Sequence, residues 1–346
     1  MPMASILAWR ATCRDNHLRT TLHLRKSLDT LLARFVPDPA ALLDYLARWG
    51  GLIIGEAALS HILHNPSICK STLELAVGNL VFNTFVRRLT RLLPYGTHGV
   101  NLFEKPAPNA FPTLRHITRI AEFHLTSGLS VHVYESCSPS ACDVVCGAWT
   151  TALMNFVTKS TFGCAYPRLT LNYCGILCDG RGEAKRWIDN CTHALLNASG
   201  FRFASSSDSW TLYSTGPYST SVPIMVGCGR DLHVCPSQGR FFRDPGSLVV
   251  FFDGFFTNLR SLRLSYIAPY GPMTAWRIPT KPRSYCQCVM DSSVLPPLVV
   301  SIILHLVEDD YSSTPALAYV GSALPSPQNS VKQNVHHILR IRRYSF

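Results

Sequence analysis

Apolar positions in the first half of the chain switch between helical and strand periods, with turn residues between them. Leu22, Leu28, Leu31, Leu32 and Phe35 recur at roughly helical spacing across residues 20–36. Asp38 can cap a second helix, with Pro39 at its first position. Leu42, Leu43, Leu46 and Trp49 share one side of that helix, which runs toward Arg48 and ends at Gly50-Gly51. The apolar run Leu52 to Ile54 predicts a strand, Glu56 to His64 a helix, and the alternation over Thr72 to Val77 a second strand. Asn79 to Leu93 reads as an amphipathic helix. Its apolar face is Leu80, Phe82, Phe85, Val86, Leu89, Leu92 and Leu93, and its basic face is Arg87, Arg88 and Arg91.

Pro94-Tyr95-Gly96 breaks this helix, and residues 96–112 read as a loop. Leu114 to Leu125 and Leu129 to Tyr134 pair as strands across the turn at Ser127-Gly128. Ala141 to Lys159 is predicted to be helical, as is Glu183 to Ser199, closed by Gly200. Near residue 204 the composition changes to a Ser-rich linker. Short β-rich pieces follow at Thr211 to Tyr213, Val222 to Val226, Ser247 to Phe252, Leu262 to Ile267 and Thr274 to Ile278. Beyond Met290 the chain reads as irregular, with a basic end.

The chain has 346 residues, 47% apolar and 15% charged, enough to bury a substantial core. Its formal net charge is +11. The last sixteen residues carry Lys332, Arg340, Arg342 and Arg343 and no acid. Such a balance favours loose contact with nucleic acid or anionic surfaces without conferring specificity. The odd count of 13 cysteines argues against a complete disulfide framework. With no secretory signal visible, reduced thiols in the cytoplasm or nucleus are the expectation. A mitochondrial presequence is the alternative reading of the first 35 residues, whose only acids are Asp15 and Asp29. The apolar run Val294 to Val307 contains Pro296-Pro297 and is shorter than the roughly twenty residues a spanning helix needs, so no membrane segment is expected.

Several segments, taken in order, carry a resemblance. They are Ile54-Gly55-Glu56, Thr72-Leu73-Glu74-Leu75, Val131-His132-Val133, Thr150-Thr151-Ala152-Leu153-Met154-Asn155 and Ala165-Tyr166-Pro167-Arg168-Leu169-Thr170. Over about residues 40–175 their order resembles a group of uncharacterised fungal proteins with a nucleotidyltransferase-like domain. In that group a Gly-Ser turn precedes a helix, an Asp-Leu-Asp-Ile strand follows, and a later strand often carries a hydrophobic-Asp pair. The resemblance implies an α/β (α+β) fold, a mixed sheet with flanking helices, to which the short β-rich pieces after residue 204 add a small annex. The expected layout is an N-terminal helical extension at 1–37, the transferase-like domain at 38–204, the annex at 205–290 and a basic tail at 291–346.

Transferase chemistry of this kind holds two Mg²⁺ ions, which activate the attacking oxygen and steady the leaving group. Mg²⁺ takes hard oxygen ligands in near-octahedral geometry. Acids at i and i+2 of a strand share one face, so Asp-x-Asp aims a pair into one cleft. Aligned to that pattern, the first position is Thr72, the second Glu74 and the third His132. One carboxylate, a hydroxyl and an imidazole are a poor Mg²⁺ set. At the phosphate turn, Gly55 is followed by Glu56, whose charge suits a helix N-terminus but repels phosphate. Glu74 is the one weak metal candidate, and Gly55 and Glu56 form a degenerate nucleotide turn. Each of these positions also has an ordinary reading: Glu74 as a strand residue, and His132 as the polar member of an alternating strand.

Other clusters carry less. Cys228, His233 and Cys235, with Cys286 and Cys288, have spacings that fit a zinc site badly. Cys142/Cys146 and Cys174/Cys178 suit buried thiols, and no Cys–His pair sits in a nucleophile turn. The expectation is a non-catalytic protein, a pseudoenzyme that binds or scaffolds an unknown partner, with no cofactor. One alternative is an active Mg-dependent nucleotidyltransferase drawing an acid from Glu135 or Asp143. The other is a weak nucleic-acid binder using its basic helix.

Overall fold

The computed structural model describes residues 3–94, 97–104, 116–178, 190–205, 233–234, 240–242, 244–252, 273–276, 300–304 and 317–320. Helices α1 (Met3–Arg10), α2 (Arg14–Leu32) and α3 (Pro39–Arg48) come first. Asp38 caps α3 as the sequence predicts, its side chain accepting from Ala41 N at 2.9 Å. Gly50, at φ +62, ends that helix, and Gly51 N donates back to Leu46 O at 2.8 Å. Leu42, Leu43 and Leu46 are buried, as are Leu24, Leu28, Leu31 and Leu32 of α2. Leu22, expected on the apolar face of α2, is instead exposed.

Strand β1 (Leu52–Ile54), helix α4 (Gly55–Leu63) and strand β2 (Thr72–Val77) follow, then helix α5 (Phe82–Leu89). Strands β3 (His98–Glu104), β4 (Ile117–His124) and β5 (Ser130–Ser136) form a meander. Beyond a short helix α6 (Cys142–Cys146) lie β6 (Asn155–Val157) and β7 (Thr161–Cys164). Next come α7 (Pro167–Thr170), β8 (Cys174–Ile176), α8 (Asn190–Ala198) and β9 (Arg202–Ala204). The remaining described strands are β10 (Arg240–Phe241), β11 (Leu248–Phe251), β12 (Met273–Trp276), β13 (Val300–Leu304) and β14 (Leu317–Val320).

Eight strands form one mixed sheet in the order β11-β7-β6-β1-β2-β5-β4-β3. Among its pairings only β2 with β5 is parallel. The fold is therefore α+β, a mixed sheet with flanking helices. Strand alternation sorts the sheet into two faces. Leu73, Leu75, Val77, Val131 and Val133 point into the main core with α2, α3, α4 and α5. Leu52, Ile54, Ala76 and Phe156 cover the other face with Ala141, Val144 and Val145 around α6. Each fully buried Leu or Phe contributes roughly 1.5–3 kcal/mol relative to exposure, so the larger cluster anchors the sheet.

The helix expected over Ala141 to Lys159 stops after one turn. Gly147 follows α6, and Thr150 uses its side chain to cap a 3-10 turn at Thr151–Leu153. Asn155 donates to Ala152 O at 2.6 Å. Thr158 then closes the β6–β7 hairpin, its N–H donating to Thr161 O at 2.7 Å and its hydroxyl accepting from Thr161 N at 2.9 Å. Hydroxyl and amide side chains here bond local backbone in place of the helical ladder. Residues 248–251, expected in the annex, form the edge strand of the main sheet instead. A separate sheet runs β10-β12-β13-β14, and its last two strands lie in the segment read as irregular. The strands expected at Thr211 to Tyr213, Val222 to Val226 and Leu262 to Ile267 lie outside the described residues. So does the first part of the helix expected from Glu183. No described helix is long and apolar enough to cross a membrane.

His61 of α4 is 2% exposed, and neither ring nitrogen has a hydrogen-bond partner. Its ring meets Phe162 and Phe252 edge-on, at 5.1 and 5.8 Å between centroids. Burial, and then the charge of His64, push its pKa down to about 3. The unfolded chain thus binds a proton below pH ~6.5 that the native state refuses down to about pH 3. The neutral buried form supports full stability above ~6.5, and that support is lost as pH falls through this window. Urea unfolding of His61→Met should show a pH dependence shallower by up to about 1.4 kcal/mol per pH unit between pH 6 and 4. An unchanged slope would mean that the imidazole reaches water.

Candidate functional site

The sequence-derived positions meet where β2 enters the sheet beside the start of α4. β2 runs antiparallel to β1, with Glu74 opposite Ile54, and parallel to β5, with Glu74 opposite His132 and Thr72 opposite Ser130. Thr72, Glu74, Ser130, His132 and Tyr134 therefore share one face. Gly55, the first residue of α4, has φ +63, and a Cβ there would lie 1.5 Å from Glu74 Oε2. Glycine is required twice over, by the left-handed backbone and by the close approach of that carboxylate.

Glu74 is fully engaged. Its Oε2 accepts the backbone N–H of Glu56 at 3.2 Å, and its Oε1 accepts the Tyr134 hydroxyl at 2.9 Å. Ile54, at the N-cap position of α4, offers no side-chain cap. Glu74 supplies that cap from the neighbouring strand, placing negative charge at the positive end of the helix. Half-buried Glu56 adds a second carboxylate in the same first turn. A phosphate approaching these amides would meet two negative charges and a donor already in use.

The other two positions are also occupied by protein. Thr72 Oγ1 lies 3.1 Å from Ser130 Oγ. His132 Nε2 lies 3.8 Å from Glu122 Oε1 on β4, an ion pair when the imidazole is protonated. The sequence reading missed Glu122 and the role of Tyr134. Counting outward from the Leu125–Leu129 hairpin closure would have set Glu122 opposite His132, as the register does. Tyr134 follows from the same alternation, two residues beyond His132.

The acids offered as substitutes sit differently: Glu135 is on the opposite face of β5, and Asp143 is on α6, the helix that packs over the Glu74 face of the sheet. Glu135 has the opposite strand parity from His132 and Tyr134 and so projects from the other face. Arg119 grips it in a two-pronged ion pair, at 2.6 and 2.7 Å, and Thr118 donates at 2.5 Å. Burial alone would raise the Glu135 pKa, but the Arg119 and Thr118 hydrogen bonds hold it below the usual carboxylate range. Asp143 is buried in the first turn of α6.

Among the described residues, no group of three or more His, Cys, Asp or Glu side chains is arranged to hold a metal. Cys142 and Cys146 are free thiols facing each other on one short helix, while Cys174 begins β8 and Cys178 follows it. Burial pushes the Cys69 thiol up to about 12 and that of Cys164 up to about 11, so neither is a nucleophile. Cys228, Cys235, Cys286 and Cys288 lie outside the described residues. Arg87, Arg88 and Arg91 are exposed, as the basic face predicts, and Arg88 lies over the Trp49 ring at 5.7 Å. Comparison with protein-family models finds no match to this chain, and comparison with curated proteins finds none either.

Glu74→Ala should destabilise the protein by about 1–3 kcal/mol, the combined worth of a helix cap and a buried hydroxyl bond. Gly55→Ala should cost more than about 2 kcal/mol in the native background, from left-handed strain plus displacement of the cap. In a Glu74→Ala background the same change should cost only the backbone part. A double-mutant cycle by chemical denaturation reads this coupling, and strict additivity would show that Gly55 and Glu74 act independently.

Proposed function

We propose that the chain is a non-catalytic binding or scaffold protein built on a degenerate nucleotidyltransferase-like core. The observation that carries this reading is the Glu74 carboxylate, with one oxygen on the first turn of α4 and the other on Tyr134. In a working transferase, acids at these positions grip Mg²⁺ and the helix N-terminus stays open to phosphate. Here the one retained acid performs a structural task at that helix. Releasing it to bind a cation would break two hydrogen bonds and uncover the helix end. Thr72 and His132, at the two remaining positions, contribute no anion.

The alternative of an active Mg-dependent transferase needs further carboxylates on the Glu74 face. Glu122 is nearest in register and lies 3.8 Å from His132, Glu135 points the other way, and Asp143 is buried on α6 over the Glu74 face, the acid this alternative would have to use. A weak nucleic-acid contact through Arg87, Arg88 and Arg91 is the second alternative. It rests on the exposure of that face, and it predicts affinity that falls steeply with salt.

Thermal unfolding decides between the binding protein and the enzyme. Mg²⁺, added alone or together with a nucleoside triphosphate, should leave the midpoint unmoved beyond any shift the nucleotide gives without the metal. A midpoint that rises only when metal and triphosphate are both present, and that Glu74→Gln abolishes, would overturn the non-catalytic reading.

A further inference from the structure

The far end of α4 presents the opposite electrostatic character. α2 crosses there, and the two helices leave a cavity of about 460 Å³. His23, Lys26, Arg34 and His64 line it, and no Asp or Glu is among its described lining residues. His64 ends α4 in the left-handed conformation, at φ 54. Its Nε2 lies 3.1 Å from His23 Nε2, and its Nδ1 lies 3.4 Å from Ser27 Oγ.

Neither permanent cation has a carboxylate partner among the described residues. Arg34 donates to the carbonyls of Cys69 and Lys70. These bonds fix the guanidinium against the wall without neutralising it. Lys26 is exposed and unpaired among the described residues.

Basic groups near a helix C-terminus often serve its last carbonyls. Backbone donors do that work here for the carbonyls of Ser60 and His61. His64 N donates to His61 O at 3.1 Å and Asn65 N to Ser60 O at 2.9 Å. The basic side chains are thus left over, around a space in the roughly 300–1,000 Å³ range of small-molecule sites. Guanidinium and ammonium groups recognise phosphate through charge-assisted hydrogen bonds, and hydroxyls and imidazoles can complete the shell.

We propose that this cavity binds a small phosphorylated molecule, whose charge is met by Lys26 and Arg34, with the imidazoles of His23 and His64 as hydrogen-bonding groups beside them. The site stands apart from the Glu74 cleft and does not rest on the transferase-like reading.

Calorimetric titration of the full chain, without divalent metal, tests it with inorganic phosphate, pyrophosphate and ribose 5-phosphate as probes. Ribose 5-phosphate should bind more tightly than inorganic phosphate, because the cavity exceeds a bare ion. Lys26→Met changes an exposed side chain and should weaken binding at least about tenfold, like the loss of other charge-assisted phosphate contacts. His64→Asn keeps a residue that tolerates the left-handed backbone and should weaken it as well. Glu74→Gln should leave it unchanged. The proposal falls if no probe binds the folded chain at millimolar concentration, or if Lys26→Met and His64→Asn bind as the parent does. It also falls if binding requires Mg²⁺ and vanishes in Glu74→Gln, which would move the phosphate to the other end of α4 and overturn the non-catalytic reading as well.

Discussion

The Glu74 carboxylate joins the central strand β2 to the first turn of α4, and much of the fold's geometry follows from that contact. α4 is nearly all buried, with Ala57, Ala58 and Ile62 in the main core and Leu59 and Leu63 in a second cluster with Leu153, Leu196 and Phe201. A helix so enclosed needs a protein group at its first turn, and the Glu56 amide requires an acceptor. Glu74 is that acceptor, and it fixes the residue at position 55 as glycine. It also pins the register of β2, since a slip of one residue would send the carboxylate into the main core and Leu73 or Leu75 out to the α6 face.

The same contact limits what the site can do. A helix N-terminus attracts anions because its amides are free and its dipole is uncompensated. In this chain the Glu56 amide is taken by Glu74, and the Glu74 and Glu56 carboxylates offset the dipole. The polar row on that face is bonded internally through Glu74 with Tyr134 and Thr72 with Ser130, and His132 lies beside Glu122. At the opposite end of α4 the Ser60 and His61 carbonyls are met by backbone amides, and no acid is among the described residues around the basic groups. The two ends differ in which charges are left without a partner, and that difference separates a closed structural junction from a surface able to take a ligand.

Where the sequence was legible, local signals agreed with the tertiary outcome. Strands β1 and β2 fall at Leu52–Ile54 and Thr72–Val77 as their apolar patterns predict, and Asp38-Pro39 begins α3. The alternation of β2 put Thr72 and Glu74 on one face, and the parallel pairing with β5 brought His132 beside them. Residues 141–159 were misread because their apolar spacing suits a helix. The backbone instead followed Gly147, the Thr150 cap and the Thr158–Thr161 turn, whose bonds lie within a few residues and have no periodicity. The partners Tyr134 and Glu122 needed strand register, which a single strand's pattern does not carry. Arg240, buried in an ion pair with Asp244 and donating to Ala165 O at 3.0 Å, was hidden for another reason. A long-range clamp leaves no mark in local composition, so the chain after 204 read as more separate than its pairing with β7 makes it.

Amide hydrogen exchange at Glu56 tests the central contact most directly, because that N–H is the one bonded to Glu74. Glu74→Ala should accelerate exchange at Glu56 by about tenfold or more, the equivalent of roughly 1.4 kcal/mol, while amides in the middle of α4 change far less. Equal exchange at Glu56 in the parent and in Glu74→Ala would mean that the carboxylate does not hold the helix, and would remove the reason for regarding the site as closed.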